Sequence, residues 1–298
     1  MINAGITGGE HIYAGELVRI LINHPDVNIR WVASDVAQGL VAHFHPGLTG
    51  ECDLEFSKPS LDDVNLIFCC GADDWCAQAQ HDYPELRIIN LTRHLAQGGM
   101  YGLCEVNRKF MVHDCYDQVA VPSPLAMVAL LPLVPLAKHH LLNNRDRITV
   151  NIDSAPMWAT LSPQLIKQEI LSVLSFMQPH YDGSTLHINI SSLDDTKRAV
   201  MATIATTCEG DEASIRSIID DYYDDHNFTF TTPREVAPCE VINTNKCLMH
   251  ITMIEDELTI HSVIDGLIKG AAGNAIHIMN LLFGLHERVG LTLKAQVL

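Results

Sequence analysis

The residue types and spacings best suited to chemistry begin near the N-terminus, where Gly5-Ile6-Thr7-Gly8-Gly9 carries a strand-like stretch into a helix-like one. Such a turn can bring backbone N–H groups at a helix N-terminus up to a pyrophosphate, with Gly8 and Gly9 as the contacts. Beyond it, His11 and Ala14 stand where the pattern wants glycine, and Glu10 adds negative charge near the phosphate position. Ser34-Asp35 follows the second strand-like run at the place that reads a ribose. A carboxylate there accepts from a 2′-hydroxyl and repels a 2′-phosphate, so NAD is physically easier to hold than NADP. The same turn serves equally well as the plain opening of an α/β sheet. Metal chemistry has little to build on. His43-Phe44-His45, His139-His140 and His113-Asp114-Cys115 are the local clusters, and none has the paired spacing of a structural zinc site. We therefore expect core or surface histidines and no metal.

Thirty-six acidic against 19 basic residues leave a net charge of −17 over 298 residues, which argues against nucleic acid or an anionic membrane as partner. The nine cysteines, Cys52, Cys69, Cys70, Cys76, Cys104, Cys115, Cys208, Cys239 and Cys247, lie mostly in apolar runs. Odd in number, they read as buried thiols of a reducing compartment, and with no signal pattern at the start the expected address is cytoplasmic. Residues 119–136 carry no charge but include four prolines, and they read as a buried helix rather than a membrane span.

These groups need elements to hold them. Strands at 2–6, 28–33, 64–70 and 86–91, with helices at 14–24 and 73–81, make a βαβ series and predict a Rossmann-like doubly wound parallel sheet. From residue 122 the pattern becomes α+β: helices at 122–142, 162–177 and 211–223, and strands at 147–152, 185–191, 199–206, 247–254 and 257–263. A last helical stretch, 270–285, begins with small residues that allow close packing.

Three segments carry a resemblance. Tyr101-Gly102-Leu103-Cys104-Glu105-Val106-Asn107-Arg108 resembles the YGLPELNR segment of N-acetyl-γ-glutamyl-phosphate reductases, enzymes of arginine biosynthesis that reduce an acyl phosphate to an aldehyde with NADPH. The run from Asn243-Thr244-Asn245-Lys246 through Ser262-Val263-Ile264-Asp265-Gly266-Leu267-Ile268-Lys269-Gly270-Ala271-Ala272-Gly273 to Met279-Asn280-Leu281-Leu282-Phe283-Gly284-Leu285 resembles that family's ending. The opening, from Gly5 to Leu17 and through Asn23-His24-Pro25, is similar in register.

The resemblance implies a nucleotide domain at 1–121 to which the final stretch, 265–298, returns, and a substrate and dimerisation domain at 122–264. It also implies NADP or NAD as cofactor and a homodimer or homotetramer. The family's thioester chemistry needs a cysteine thiolate, carried in an NPGCYPT segment that falls on residues 121–127 and puts Pro124 at the nucleophile position. Its catalytic histidine belongs to an HxHxxE pattern that falls on residues 160–165, where Ser162 stands. Ala72-Asp73 replaces a His-Gly pair, Ala96 replaces an arginine, and the loop at 153–159 is shortened. Cys115-Tyr116 is flanked by Asp114 and Asp117, which disfavour a thiolate and an anionic substrate. Arg198 matches a family arginine and is the substrate candidate. Asn245, Lys269 and Gly270 survive at cofactor-side positions, where capping and packing of the terminal helix would serve equally well. The expectation is a reductase-like pseudoenzyme acting by binding, as a regulatory partner that includes pairing with an active paralogue. The alternative is an active enzyme, running either the family reduction or a changed reaction that uses Ser123, Asp153, Ser154 and Ser162.

Overall fold

Short apolar strands separated by helices do assemble into a parallel sheet. In the computed structural model, which describes residues 1–71, 74–92, 99–113, 117–159, 161–192 and 198–295, the chain divides into two units. Unit 1 is residues 1–122 with 271–292, and unit 2 is residues 123–270 with 293–298. Unit 1 runs β1 (Ile2–Thr7), α1 (Ile12–Leu21), β2 (Val27–Val32), α2 (Val41–Phe44), β3 (Leu66–Cys69), α3 (Asp74–Asp82), β4 (Arg87–Asn90), β5 (Met100–Tyr101), α4 (Cys104–His113) and β6 (Gln118–Ala120). Its sheet has the order β2-β1-β3-β4-β6-β5, every pairing parallel. The strand order reverses beside β1, and a doubly wound sheet opens its ligand crevice at such a point. Leu66–Cys69 is buried throughout, as a strand covered on both faces must be. The sequence pattern did not announce β5, α4 or β6: two of them are too short for a period, and α4 buries only Cys104, Glu105 and Met111.

Unit 2 continues with α5 (Pro124–Lys138), β7 (Ile148–Ser154), α6 (Pro156–Ala159), α7 (Pro163–Met177), β8 (Leu186–Ser192), β9 (Ala199–Thr207), α8 (Glu212–Tyr223), β10 (Thr229–Thr232), β11 (Cys247–Ile254) and β12 (Glu257–Asp265). Its mixed sheet has the order β10-β11-β12-β9-β7-β8. The apolar run 119–136 becomes α5, buried on every side from Pro124 to Ala137, as a helix apolar all round must be. No described helix is long and apolar enough to cross a membrane. The helix stops at Lys138 rather than at 142 because His140 turns left-handed at φ 59°.

Pro135 inside α5 has no N–H for the Leu131 carbonyl, and the Tyr223 hydroxyl of α8 donates to that oxygen at 2.5 Å. Tyr223→Phe therefore leaves a buried carbonyl unpaired, and we expect a loss of about 1–3 kcal/mol, read as a lower urea midpoint at constant slope.

The closing stretch opens with a π-helical turn, Ile268–Ala272, and passes into α9 (Gly273–Leu282). In unit 1, α9 holds itself by polar contacts: Asn274 Nδ2 donates to the Gly102 carbonyl at 2.7 Å, and Asn280 Nδ2 to the carbonyls of Glu287 and Val289. The buried His24 ring accepts the Asp26 N–H at Nδ1 and faces Asn280 Oδ1 from Nε2, so the neutral Nε2-H form fits both. Burial lowers its pKa, with Asn280 and Asp26 pulling the other way. The unfolded chain thus takes up a proton more readily. Stability attributable to His24 is full above about pH 6.5 and declines below it. A His24→Gln variant should show a flatter decline in melting temperature between about pH 7 and pH 5.

Candidate functional site

The first turn of unit 1 is built for close packing of the protein against itself. Gly8 sits at φ 63°, and a Cβ there would lie 2.4 Å from the Gly71 nitrogen. A Cβ on Gly9 would meet Val32 at 2.7 Å, Phe56 at 2.8 Å and the Ala33 carbonyl at 3.0 Å. Internal sterics thus account for both glycines. The turn also spends its own donors: Gly9 N–H on the Ala33 carbonyl, His11 N–H on the Gly8 carbonyl, and Ala14 and Gly15 N–H on the His11 carbonyl. His11 is the N-cap of α1, and its Nδ1 accepts the Tyr13 N–H at 3.3 Å. An imidazole therefore occupies the helix end where a phosphate would be received. Burial lowers the His11 pKa, Glu10 opposes this, and His45 adds to the lowering.

At the carboxyl ends of β1, β2 and β3 lies a cleft of about 570 Å³, walled in part by Glu10, Ser34, Asp35, Phe56, Lys58 and Trp75. Ser34 Oγ accepts the N–H groups of Val36 and Ala37, which fixes the loop that presents Asp35. Glu10 Oε2 is out of reach of solvent and has no hydrogen-bond partner. Gly8, Ser34 and Asp35 are thus brought to one cleft, while Gly9 is buried behind it and is not among its lining residues. A dinucleotide's pyrophosphate is a poor fit there, because Glu10 puts a carboxylate in the lining and the N–H groups of Gly9, His11, Tyr13, Ala14 and Gly15 are engaged within the protein. Burial pushes the nearby Cys70 thiol well above its ordinary range, with Cys69 and Glu10 adding to the effect. Among the described residues the cysteines are free of disulfides, and no group of three metal-ligating side chains is found.

In unit 2, Ser123-Pro124 forms a well-capped helix start. Ser123 Oγ accepts the Ala126 N–H at 3.2 Å, and Pro124 takes the first helical position, where a missing N–H costs nothing. The Ser123 N–H donates to Glu169 Oε1 of α7 at 2.8 Å. A Cβ on Gly270 would come within 2.7 Å of Pro124 Cβ, so this glycine lets the π-helical turn pass against the proline. Ser162 precedes α7 as an exposed N-cap residue whose side chain makes no capping bond. Of the alternative reactive set, Ser123 and Ser154 are fully buried, and Ser154 Oγ faces the Ala155 carbonyl. Asp153 is half-buried on β7.

Arg198 is engaged inside unit 2. Its Nε donates to Oδ1 of the fully buried Asp265 at 3.1 Å and forms an ion pair with Oδ2 at 3.0 Å. Asp265 also accepts the N–H groups of Leu267 and Ile268 on Oδ1 and of Asn243 on Oδ2. Burial pushes this carboxyl up, while Arg198 and the three backbone donors pull it down. The carboxylate therefore organises the chain that carries Lys269 and Gly270. Lys269 is fully buried, with Nζ 5.8 Å from the Phe228 ring centroid. Capping by Asn245 is not what the structure contains. Its amide is 1% exposed with neither atom hydrogen-bonded, and α9 has no side-chain cap. Ala72, Asp73, Ala96, Asp114, Cys115, Tyr116 and Thr160 lie outside the described residues. Glu169 and Asp265 escaped the sequence reading, since neither lies in a spacing that marks a site.

No family model matches the chain. Its full-length relatives include the N-acetyl-γ-glutamyl-phosphate reductases of Parabacteroides distasonis, 37% identical over 99% of each chain, and of Phocaeicola vulgatus, 35% identical over 99% of each. Both alignments run to 324 positions, longer than this chain, so the relatives contain positions it lacks. Among solved structures, aspartate semialdehyde dehydrogenase II of Vibrio cholerae, complexed with ASA, matches with a TM-score of 0.67 at 13% identity over 95% of this chain and 99% of that one. The Candida albicans aspartate semialdehyde dehydrogenase with NADP matches with a TM-score of 0.68 at 12% identity, over 95% and 98%. These two likenesses concern the fold: a Rossmann-like sheet with a second α+β unit.

Proposed function

The chain belongs to the N-acetyl-γ-glutamyl-phosphate reductase family, and from that premise we propose that it no longer reduces an acyl phosphate and acts instead as a binding or regulatory protein. The observation that carries this reading is the start of α5. At the family's nucleophile position Pro124 offers neither a thiol nor an N–H, the Ser123 N–H is held by Glu169, and the Ala126 N–H is held by Ser123. A thioester needs a nucleophile, and a tetrahedral oxyanion needs free donors aimed at it. Ser162, at the base position, is an exposed hydroxyl with no hydrogen-bonded partner among the described residues to activate it.

The cofactor side supports the same reading. NADP or NAD comes from the resemblance, yet Glu10 and the engagement of the Gly9, His11, Tyr13, Ala14 and Gly15 N–H groups oppose a pyrophosphate, and Asp35 opposes a 2′-phosphate. Self-association as a dimer or tetramer, and pairing with an active relative, belong to the same proposal. Native mass spectrometry of the chain alone, and mixed with an active reductase, tests both. Activity is tested by following NADPH oxidation with N-acetyl-γ-glutamyl phosphate, and by the reverse reaction with the aldehyde, phosphate and NADP. We expect neither to exceed the enzyme-free rate, and turnover at about 1 s⁻¹ or faster would refute the reading.

A further inference from the structure

One face of the unit 2 sheet is open to solvent. On the other, α5 packs with α7 and α8, and Val150, Ile152, Ala202, Ile204, Met249 and Ile260 are buried. The open face is crossed by a row of directly opposed residues, one from each strand: Thr232, His250, His261, Thr203, Asn151 and Asn189. Asn189 Nδ2 donates to Asn151 Oδ1 at 2.8 Å, and Thr203 Oγ1 meets His261 Nδ1 at 3.1 Å, so these side chains stand on one side of the sheet. The next row is Thr252, Thr259, Ala205, Thr149 and His187. Neither row contains a carboxylate, a lysine or an arginine, in a chain with 36 acidic residues. Asp153 and Glu257 lie on the two sides of these rows, and residues 236–242 cover a strip beyond, packing Val236 and Val241 on Val263. Two acidic chains repel least where such surfaces meet, and Asn, Thr and neutral His each donate and accept, so the rows suit their own copy across a twofold axis. Six strands span about 24 Å and three rows about 20 Å, an area on the order of what a standard interface takes from each partner.

The half-buried His250 and His261 oppose each other within the row. His250 Nδ1 faces the Thr232 carbonyl at 3.1 Å, so its neutral ring donates there and keeps Nε2 as an acceptor. Covering the pair with a second copy disfavours the imidazolium form, and two adjacent imidazoliums oppose each other. The surrounding charges do not neutralise them. From β9 and β10 comes no titratable side chain, from β8 His187, and from β7 Asp153 two residues beyond the row. On β12, Glu257 lies beyond the second row and the buried Asp265 is held by Arg198. From α8, Arg216 donates to the same Thr232 carbonyl and pairs with Glu212, while Arg234 pairs with Glu240 and Lys246 precedes β11.

We propose that the sheet face carrying His250 and His261 joins two copies of this chain, and that acid releases them by protonating the pair. The inference rests on the self-association put forward under the proposed function and names its surface and its control. The contact is complete above about pH 6.5 and weakens below it. Acid acts on the rest of this chain in the opposite direction, since a smaller net negative charge lowers repulsion between copies. Sedimentation of the full chain at constant ionic strength tests the proposal. We expect a dimer at about pH 8 and a dissociation constant at least about tenfold larger at about pH 5.5. The double variant His250→Gln, His261→Gln should remain a dimer at both. Ala205→Arg and Asn189→Arg, each at an exposed position of the two rows, should weaken the dimer at least about 100-fold at about pH 8. Phe176→Arg, exposed on α7, should leave it unchanged. Circular dichroism melts show which variants are folded, and either arginine variant suffices. A parent that stays monomeric at about 100 μM overturns the proposal together with the self-association it rests on. A dimer that survives a folded arginine variant overturns the surface. A dimer with the same dissociation constant at both pH values, or one still released by acid in the double histidine variant, overturns the control while leaving self-association intact. The activity assay above decides the loss of reduction separately from every one of these results.

Discussion

Pro124→Cys is expected to restore a thiol without restoring turnover. NADPH oxidation with the acyl phosphate should stay at the enzyme-free rate, and mass spectrometry after incubation with substrate should detect no acyl adduct. On the proposed reading the nucleophile is one missing part among several. The new thiol would stand at the first position of a helix buried from Pro124 to Ala137, beside a Ser123 N–H already given to Glu169. An oxyanion donor is worth roughly 10²–10³ in rate and a positioned base roughly 10²–10⁴, so their joint absence lowers any surviving thioester step by at least roughly 10⁴. The substitution itself should fold, since Ser123 still caps α5 and loss of proline at the first helical position is mild. Turnover rising to about 1 s⁻¹ in Pro124→Cys would mean that the remaining groups are still catalytically arranged.

Asp265→Ala should be the most destabilising of the substitutions considered, by about 3–5 kcal/mol. It strips a fully buried acceptor from the Arg198 guanidinium and from the N–H groups of Asn243, Leu267 and Ile268. Arg198 is left without its buried counter-charge and three donors without an acceptor, which costs more than the pair contributes over a neutral substitute. Asp265→Asn keeps the shape and one acceptor oxygen and should lose less, about 1–3 kcal/mol. Urea unfolding of the three proteins, compared at constant slope, measures the order. If Asp265→Ala matched the parent, the carboxylate would have no part in holding the chain that leads into the π-helical turn.

Much of the candidate site was legible in the residue string, but not what its members do. The position of Pro124, the serine at 162 and the acidic Glu10 and Asp35 were plain. Arg198 also stood out, as a cation able to meet an anionic substrate, yet in the folded chain it meets Asp265. Gly8 and Gly9 looked like a phosphate turn, while their neighbours Gly71, Val32, Phe56 and the Ala33 carbonyl make them necessary to packing.

By itself the sequence determined the alternation of strands and helices and the buried character of α5. Those properties are local: periodicity, apolar runs and capping residues act within a few turns of chain, so they can be read in order along it. Only the tertiary structure decided which donors remain open to a ligand. Ser123 meets Glu169 across 46 positions and Arg198 meets Asp265 across 67. Such pairings depend on how the chain closes on itself, and no local pattern encodes the partner. The sequence therefore names the groups present at the site, and the fold decides which of them are already bonded to the protein.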